Sequence, residues 1–236
     1  MIGTELLDDP GADPAVVAAH LGDIARLNRW FGATRAVIEA LEPHFRQAGK
    51  GEGGKGKGVT RWTLLDVGTG AGDIPRAVAA AARRHGITLT LVGVERIRAA
   101  ASLARASGGL HAVVSDGSAL PFASGGVDVV VASQVLHHLP RETAVRWIAA
   151  FDRVARRAVA IADLRRSRPA IAALWLAGPA LGIGRVTQRD GVVSLRRGYT
   201  RKELDAMLRE AGVPARSRYC RWSRVVAAWV PHAHRR

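Results

Sequence analysis

Between Leu64 and Asp73 the chain reads Leu-Leu-Asp-Val-Gly-Thr-Gly-Ala-Gly-Asp, and this run restricts the fold more than any other stretch. An apolar strand, Thr63–Val67, passes a carboxylate and runs into three alternate glycines. Gly68, Gly70 and Gly72 let the backbone take positive φ and approach a ligand closely, and the N–H groups of the following helix face that ligand. The helix, Asp73–His85, is alanine-rich, carries Pro75 in its first turn where a missing N–H costs nothing, and stops at Gly86. By itself such a turn also suits a dinucleotide. Two features separate the cases. The spacing is GxGxG rather than GxGxxG, and Asp66 sets a carboxylate where a pyrophosphate is repelled and a cationic amino group attracted.

The alternation continues. Thr88–Val94, Ala112–Ser115, Val127–Ala132 and Ala158–Ala162 read as strands, and Arg96–Ser107 and Arg141–Arg157 as helices. Strands separated by helices predict a parallel sheet covered on both faces. Later, Thr200 and Glu203 form a capping box for a helix that stops at Gly212. Arg216–Trp222 and Arg224–Val230, joined around Ser223, read as antiparallel strands at the sheet edge. The expected fold is α/β: a doubly wound, Rossmann-like, mostly parallel seven-stranded sheet with an antiparallel edge strand and an N-terminal helical lid.

That lid comes from residues 15–47, one or two helices on which His20, Ile24, Leu27, Trp30 and Phe31 recur at three- and four-residue spacing. Gly49–Gly58, GKGEGGKGKG, buries nothing and reads as a flexible linker. The chain is thus divided into a helical cap at 1–48, a linker at 49–58 and a main domain at 59–236. The main domain carries a lid insertion at 165–198, read as irregular around the apolar run Ile171–Ile183.

Composition excludes several classes. The single cysteine, Cys220, forbids an intramolecular disulfide and a CxxC metal site, and a reducing cytoplasm fits it. The N-terminus is acidic and does not read as a signal peptide. The longest apolar stretch, Ile171–Gly184, is too short to span a bilayer, so no stable membrane insertion is expected. The net charge of +15 invites a nucleic-acid reading. Only Lys50, Lys55, Lys57 and Lys202 are lysines, however, and the arginines are spread as single residues and short doublets such as Arg156-Arg157. Compositional bias accounts for the charge, and no nucleic-acid partner is expected. His232 and His234 belong to a basic tail, and no metal site is expected.

Together the motifs resemble the class I S-adenosylmethionine-dependent methyltransferases over roughly Val16 to Val230. The resemblance implies S-adenosyl-L-methionine as cofactor, its methionine part held by Asp66, Gly68, Thr69, Gly70 and Gly72. The ribose acid maps to Glu95, with Arg96 beside it, and the adenine-side acid to Asp116 with Gly117. Ser133 and Gln134 follow the fourth strand at the sheet's carboxyl edge. Leu120-Pro121-Phe122 and the paired histidines of Val135–Pro140 resemble the ubiquinone and menaquinone biosynthesis type. Gly72–Pro75, Asp163-Leu164 and Arg196–Thr200 resemble, more loosely, methyltransferases of polyketide clusters. A small aromatic, polyketide-like or quinone-like acceptor, methylated at oxygen, is expected, in a monomer or homodimer.

His137 and His138 are the catalytic candidates. Adjacent residues at a helix start diverge by about a hundred degrees. His137 is expected to face the methyl group as a proton acceptor and His138 to pack in the core. Asn28, Trp30, Phe31 and Trp175 are the substrate candidates. An RNA methyltransferase is one alternative, against which Ser133–Leu136 stands where an Asn-Pro-Pro-Tyr type of motif belongs. A non-catalytic module on the cofactor fold is the other, and the acids at 66, 95 and 116 speak against it.

Overall fold

The computed structural model describes residues 3–51, 60–117, 119–220 and 223–232. A 3-10 turn, Leu6–Asp8, leads into α1 (Pro14–Trp30) and α2 (Ala33–Gly51). Then follow β1 (Thr60–Val67), α3 (Asp73–Arg83), β2 (Ile87–Glu95), α4 (Arg98–Ala106), β3 (His111–Val114) and β4 (Val127–Ser133). After a 3-10 turn at Leu136–His138 come α5 (Arg141–Val154), β5 (Ala155–Leu164), α6 (Arg168–Ala177) and α7 (Arg185–Arg197). The chain closes with α8 (Arg201–Glu210), β6 (Arg218–Cys220) and β7 (Arg224–Trp229).

The seven strands lie in the order β3-β2-β1-β4-β5-β7-β6. β1 to β5 pair in parallel, and β7 runs antiparallel to both β5 and β6. The antiparallel strand is therefore second from the edge, because the short β6 covers its outer side. Side chains of β4 alternate between faces as a pleated strand requires. Val129 and Val131 pack with α2 and α3, while Val130 and Ala132 pack with α5 and α8. Burial on both faces explains the unbroken apolar run.

Two boundaries differ from expectation. Gly49–Gly51 continue α2, and the rest of the expected linker lies outside the described residues. Nor is α2 part of a cap: Val37, Leu41 and Phe45 pack with Trp62 and Leu64 in the sheet cluster. Residues 165–198 are not irregular but hold α6 and α7. Ser167 caps α6 by accepting from the Ala170 N–H at 3.3 Å. The face that α7 buries includes Thr187, Gln188, Asp190 and Ser194, so no apolar stripe announced the helix.

The arginine doublet Arg156-Arg157 is used inside the molecule. Both guanidinium groups donate to Asp128 Oδ1, whose partner oxygen accepts the Thr63 N–H at 2.9 Å. Among the described residues no helix is long and apolar enough to cross a membrane.

Candidate functional site

Strand order reverses between β1 and β4, and in open sheets the ligand crevice lies at the carboxyl ends beside such a point. A cavity of about 440 Å³ opens there. Asp66, Gly68, Thr69 and Gly70 line it from the glycine turn, and Glu95 and Arg96 from the tip of β2. Asp116 and Gly117 line it after β3, and Ser133 and Gln134 after β4.

The turn is built for close approach. The N–H groups of Gly68 and Thr69 both donate to the Val94 carbonyl, at 2.8 and 3.1 Å. A Cβ on Gly68, whose φ is 74°, would stand 2.7 Å from Val135 Cγ2. Gly72 is the exception among the expected residues. It does not line the cavity; it caps α3 at φ 74°, where a Cβ would meet Leu110 at 2.8 Å.

Asp66 is buried, accepts from the Thr69 hydroxyl at 2.8 Å, and is pushed up to about 7, by burial first and then by Asp73 and Glu95. Glu95 is buried rather than solvated. Its two oxygens accept the Gly70 and Ile97 N–H groups, each at 2.9 Å, so the acid also ties the glycine turn to β2. Glu95→Ala is therefore expected to weaken binding of S-adenosylhomocysteine and to lower stability by about 1–3 kcal/mol, since two backbone donors lose their acceptor. Calorimetric titration with parallel thermal melts checks both; an unchanged melt means that the turn does not depend on this acid.

Gln134 is a non-glycine residue at φ 57°, an unfavourable conformation that persists only where surroundings hold it. Its side chain donates to Asn28 Oδ1 at 2.6 Å, and Asn28 donates to Asp73 at 3.0 Å. This chain of bonds pins α1 across the crevice. Asn28 and Phe31 line the cavity. Trp30 and Trp175 do not. They are 64% and 56% exposed, because α1 and α6 turn other faces inward. The apolar run from Ile171 supplies only Leu174 to the cavity, and Leu176 points to solvent.

The histidines depart from expectation in a second way. His137 is the buried one, and its Nδ1 stands 2.6 Å from Asp163 Oδ1. Asp163 is fully enclosed. Burial raises its carboxyl, but the His137 ring, the Leu164 N–H and His138 outweigh that and hold it below the ordinary value. Nε2 of His137 is buried with no hydrogen-bond partner among the described residues. His138 is half-buried, not packed in the core, with Nδ1 3.0 Å from Asp8 Oδ1. The two rings do not diverge: their centroids are 4.3 Å apart, and both line the cavity.

Several residues escaped the sequence reading. Arg224 is buried beside Asp163, its Nε and Nη1 without hydrogen-bond partners among the described residues, and burial lowers its guanidinium to about 10 against the pull of Asp163. The β5–β7 register pairs Leu164 with Arg224 and Asp163 with Val225. The roof is polar where α7 meets the N-terminus. The Ser194 hydroxyl donates to Glu5 at 2.5 Å, Arg197 donates to Glu5 and Asp8, and the Leu6 N–H donates to Asp190 at 2.8 Å. His20 joins this seam through the Thr187 hydroxyl at 2.9 Å, which itself donates to Asp23. Only Asp163 carried a signal, an acid at the tip of the fifth strand.

Known proteins place this arrangement. Residues 64–158 match the methyltransferase domain family. An uncharacterized methyltransferase of Mycobacterium avium (strain 104) is 37% identical over 117 residues, 48% of this chain and 42% of that protein. One of Mycobacterium marinum is 37% identical over 116 residues, 48% of this chain and 41% of that protein. The chain thus matches less than half the length of these curated relatives. The crystal structure of a SAM-dependent methyltransferase from Aquifex aeolicus superimposes with a TM-score of 0.59 at 17% identity, covering 92% of this chain and 97% of that one. The magnesium protoporphyrin IX methyltransferase of Synechocystis PCC 6803, with S-adenosylhomocysteine bound, superimposes at 0.51 and 15% identity, covering 82% and 83%. These two structures share the fold. The family match falls on the stretch with the glycine turn and the acids at the strand tips, so residues 64–158 are similar to the methyltransferase domain family, in a chain whose fold is that of S-adenosylmethionine-dependent methyltransferases.

Proposed function

We propose that the protein transfers a methyl group to an oxygen of a small, largely apolar acceptor of aromatic, polyketide-like or quinone-like kind. The carrying observation is the His137–Asp163 pair. A neutral imidazole that donates from Nδ1 to Asp163 has its lone pair on Nε2, the atom left unpartnered at the cavity. Nε2 takes the proton of the acceptor's hydroxyl, and the buried carboxylate fixes the ring's tautomer and stabilises the imidazolium. An acidic O–H such as a phenol's suits this pair; a carbon nucleophile has no use for it. Leu27, Leu164, Leu174 and Leu195 supply apolar walls for the acceptor.

The cofactor half fits S-adenosylmethionine. Asp66 is an acid pushed up to about 7 by burial and by Asp73 and Glu95, Ser133 Oγ is a buried hydroxyl without a hydrogen-bond partner among the described residues, and a Cβ on Gly68 would meet Val135. Asp66 holds the amino end, Glu95 the ribose and Asp116 the adenine side. Bound there, the cofactor supplies a methyl already activated by the sulfonium charge, so the chain's work is to position the acceptor and exclude water. The lone Cys220 is in keeping with a reducing compartment such as the cytoplasm.

S-adenosylhomocysteine is expected to raise the melting temperature, by about 2.7 kcal/mol of added stability at a hundredfold excess over its dissociation constant, while NAD is not. Mass spectrometry after incubation with S-adenosylmethionine and a set of phenols, amines and quinones then identifies the acceptor class. Binding of NAD in its place overturns the cofactor assignment, and methylation of amines alone overturns the oxygen.

A further inference from the structure

We infer that Glu5, His137 and His138 form a binding site for one divalent transition-metal ion at the acceptor end of the cavity. One ligand atom from each of these residues lies within 4.8 Å of the other two. His138 Nε2 and Glu5 Oε2 already stand 3.8 Å apart, and donors around a tetrahedral ion with bonds of about 2.0–2.2 Å stand about 3.4 Å apart. An ion requires this pair to close by about 0.4 Å, against the hold of Ser194 and Arg197 on the Glu5 carboxylate. Two nitrogens and one carboxylate are the donor set of open zinc and non-haem iron sites.

The tautomers give an independent reason. Nδ1 of His137 meets Asp163 at 2.6 Å, and Nδ1 of His138 meets Asp8 at 3.0 Å. With each Nδ1–H donating to a carboxylate, both rings aim an Nε2 lone pair into the same space. Metal-binding histidines are held in this manner, by a carboxylate on the nitrogen that does not bind the ion. His137 Nε2 is buried with no hydrogen-bond partner among the described residues. A general base alone does not call for a second histidine oriented in the same way, nor for a buried glutamate between them. Charge favours a cation too: Glu5, Asp8 and Asp163 outnumber Arg197 and Arg224, the guanidinium groups beside them.

An ion here changes what His137 does. Glu5, His137 and His138 would hold the ion, with His137 Nε2 as a ligand, and the ion would supply Lewis-acid activation of a hydroxyl at the acceptor end of the cavity. The ion-free protein relies on the imidazole to take that hydroxyl's proton. The site stands on ligand geometry and not on the methyl acceptor.

The test uses the full chain, stripped with a chelator and titrated with Co²⁺ and Zn²⁺ without cofactor. Expected is one equivalent bound per chain, with the visible absorption of four- or five-coordinate cobalt. Glu5→Gln, which keeps the side chain's size and an oxygen for Ser194, and His138→Ala are each expected to weaken binding at least tenfold. Asp8→Asn, acting through His138, is expected to cost 10–100-fold. The tail variant His232→Ala/His234→Ala is expected to bind as the parent does. Absence of saturable binding up to millimolar metal, or binding that survives in His137→Ala/His138→Ala, overturns the site. A parallel titration with S-adenosylhomocysteine separates the readings: S-adenosylhomocysteine binding without cobalt sinks only the metal site, and cobalt binding without S-adenosylhomocysteine sinks only the methyl-transfer reading.

Discussion

Replacing His137 with Ala is expected to lower turnover of the chelator-treated protein by roughly 10²–10⁴ while leaving affinity for S-adenosylhomocysteine almost unchanged, the usual contribution of a positioned base. The affinity holds because Asp66, Glu95 and Asp116 sit on the other side of the cavity, on β1, β2 and the loop after β3. The fold is expected to survive because Asp163 keeps the Leu164 N–H at 2.6 Å and the neighbouring charge of Arg224. His138→Ala removes a half-buried ring whose Nδ1 meets Asp8 at 3.0 Å, so it is expected to loosen the N-terminal segment and to spare most of the turnover. Steady-state rates across pH for both variants, with thermal melts, check the assignment. Should His137→Ala keep the parent's turnover, positioning alone carries the reaction.

The second large effect is in cofactor affinity across pH. Burial lifts Asp66 from 3.8 to about 7 in the folded chain. Its proton therefore favours the folded state: this contribution is complete below about pH 4 and is lost as pH rises through 7. A shift of about three pH units corresponds to something on the order of 4 kcal/mol. A bound ammonium group reverses the preference, because it demands the carboxylate. Affinity for S-adenosylhomocysteine is therefore expected to rise up to about tenfold per pH unit below pH 7 and to level off above it, with a proton released on binding. Calorimetry in buffers of different ionisation enthalpy measures that proton. Asp66→Asn is expected to melt higher than the parent at pH 8 and to bind far more weakly. An affinity flat from about pH 5.5 to 8 means that Asp66 does not meet a cation.

The cofactor half of the site was legible because its chemistry is local. A strand, three glycines and a helix start fix where Asp66 sits, β2 delivers Glu95 at its tip and the loop after β3 delivers Asp116. Gly72 alone was misplaced, since a glycine that caps a helix and one that lines a ligand look alike in sequence. The acceptor half was less legible because topology assembles it. Register across an antiparallel pair brings Arg224 to Asp163, and the Arg96 guanidinium, donating to the Leu7 carbonyl at 2.8 Å, helps to hold the first residues over the cavity. Direction was a further obstacle. Trp30 and Trp175 are large and aromatic, yet nothing in their spacing told that they face water. The His137 and His138 rings lie side by side because Asp163 and Asp8 draw them from different elements.

The stretch that matches the methyltransferase family ends at residue 158, five residues short of Asp163. Beyond it also lie Arg224 and α7, and ahead of it lie Glu5, Asp8 and α1. The matched stretch thus carries every residue proposed to hold the cofactor, together with His137 and His138, and leaves the rest of the acceptor half to its flanks. A chimera that exchanges residues 64–158 with a relative is expected to inherit the donor's grip on S-adenosylmethionine and to retain the recipient's choice of acceptor. Likeness within that stretch is accordingly a guide to the reagent and not to its target, and acceptors are better compared through the two flanks that close over the crevice.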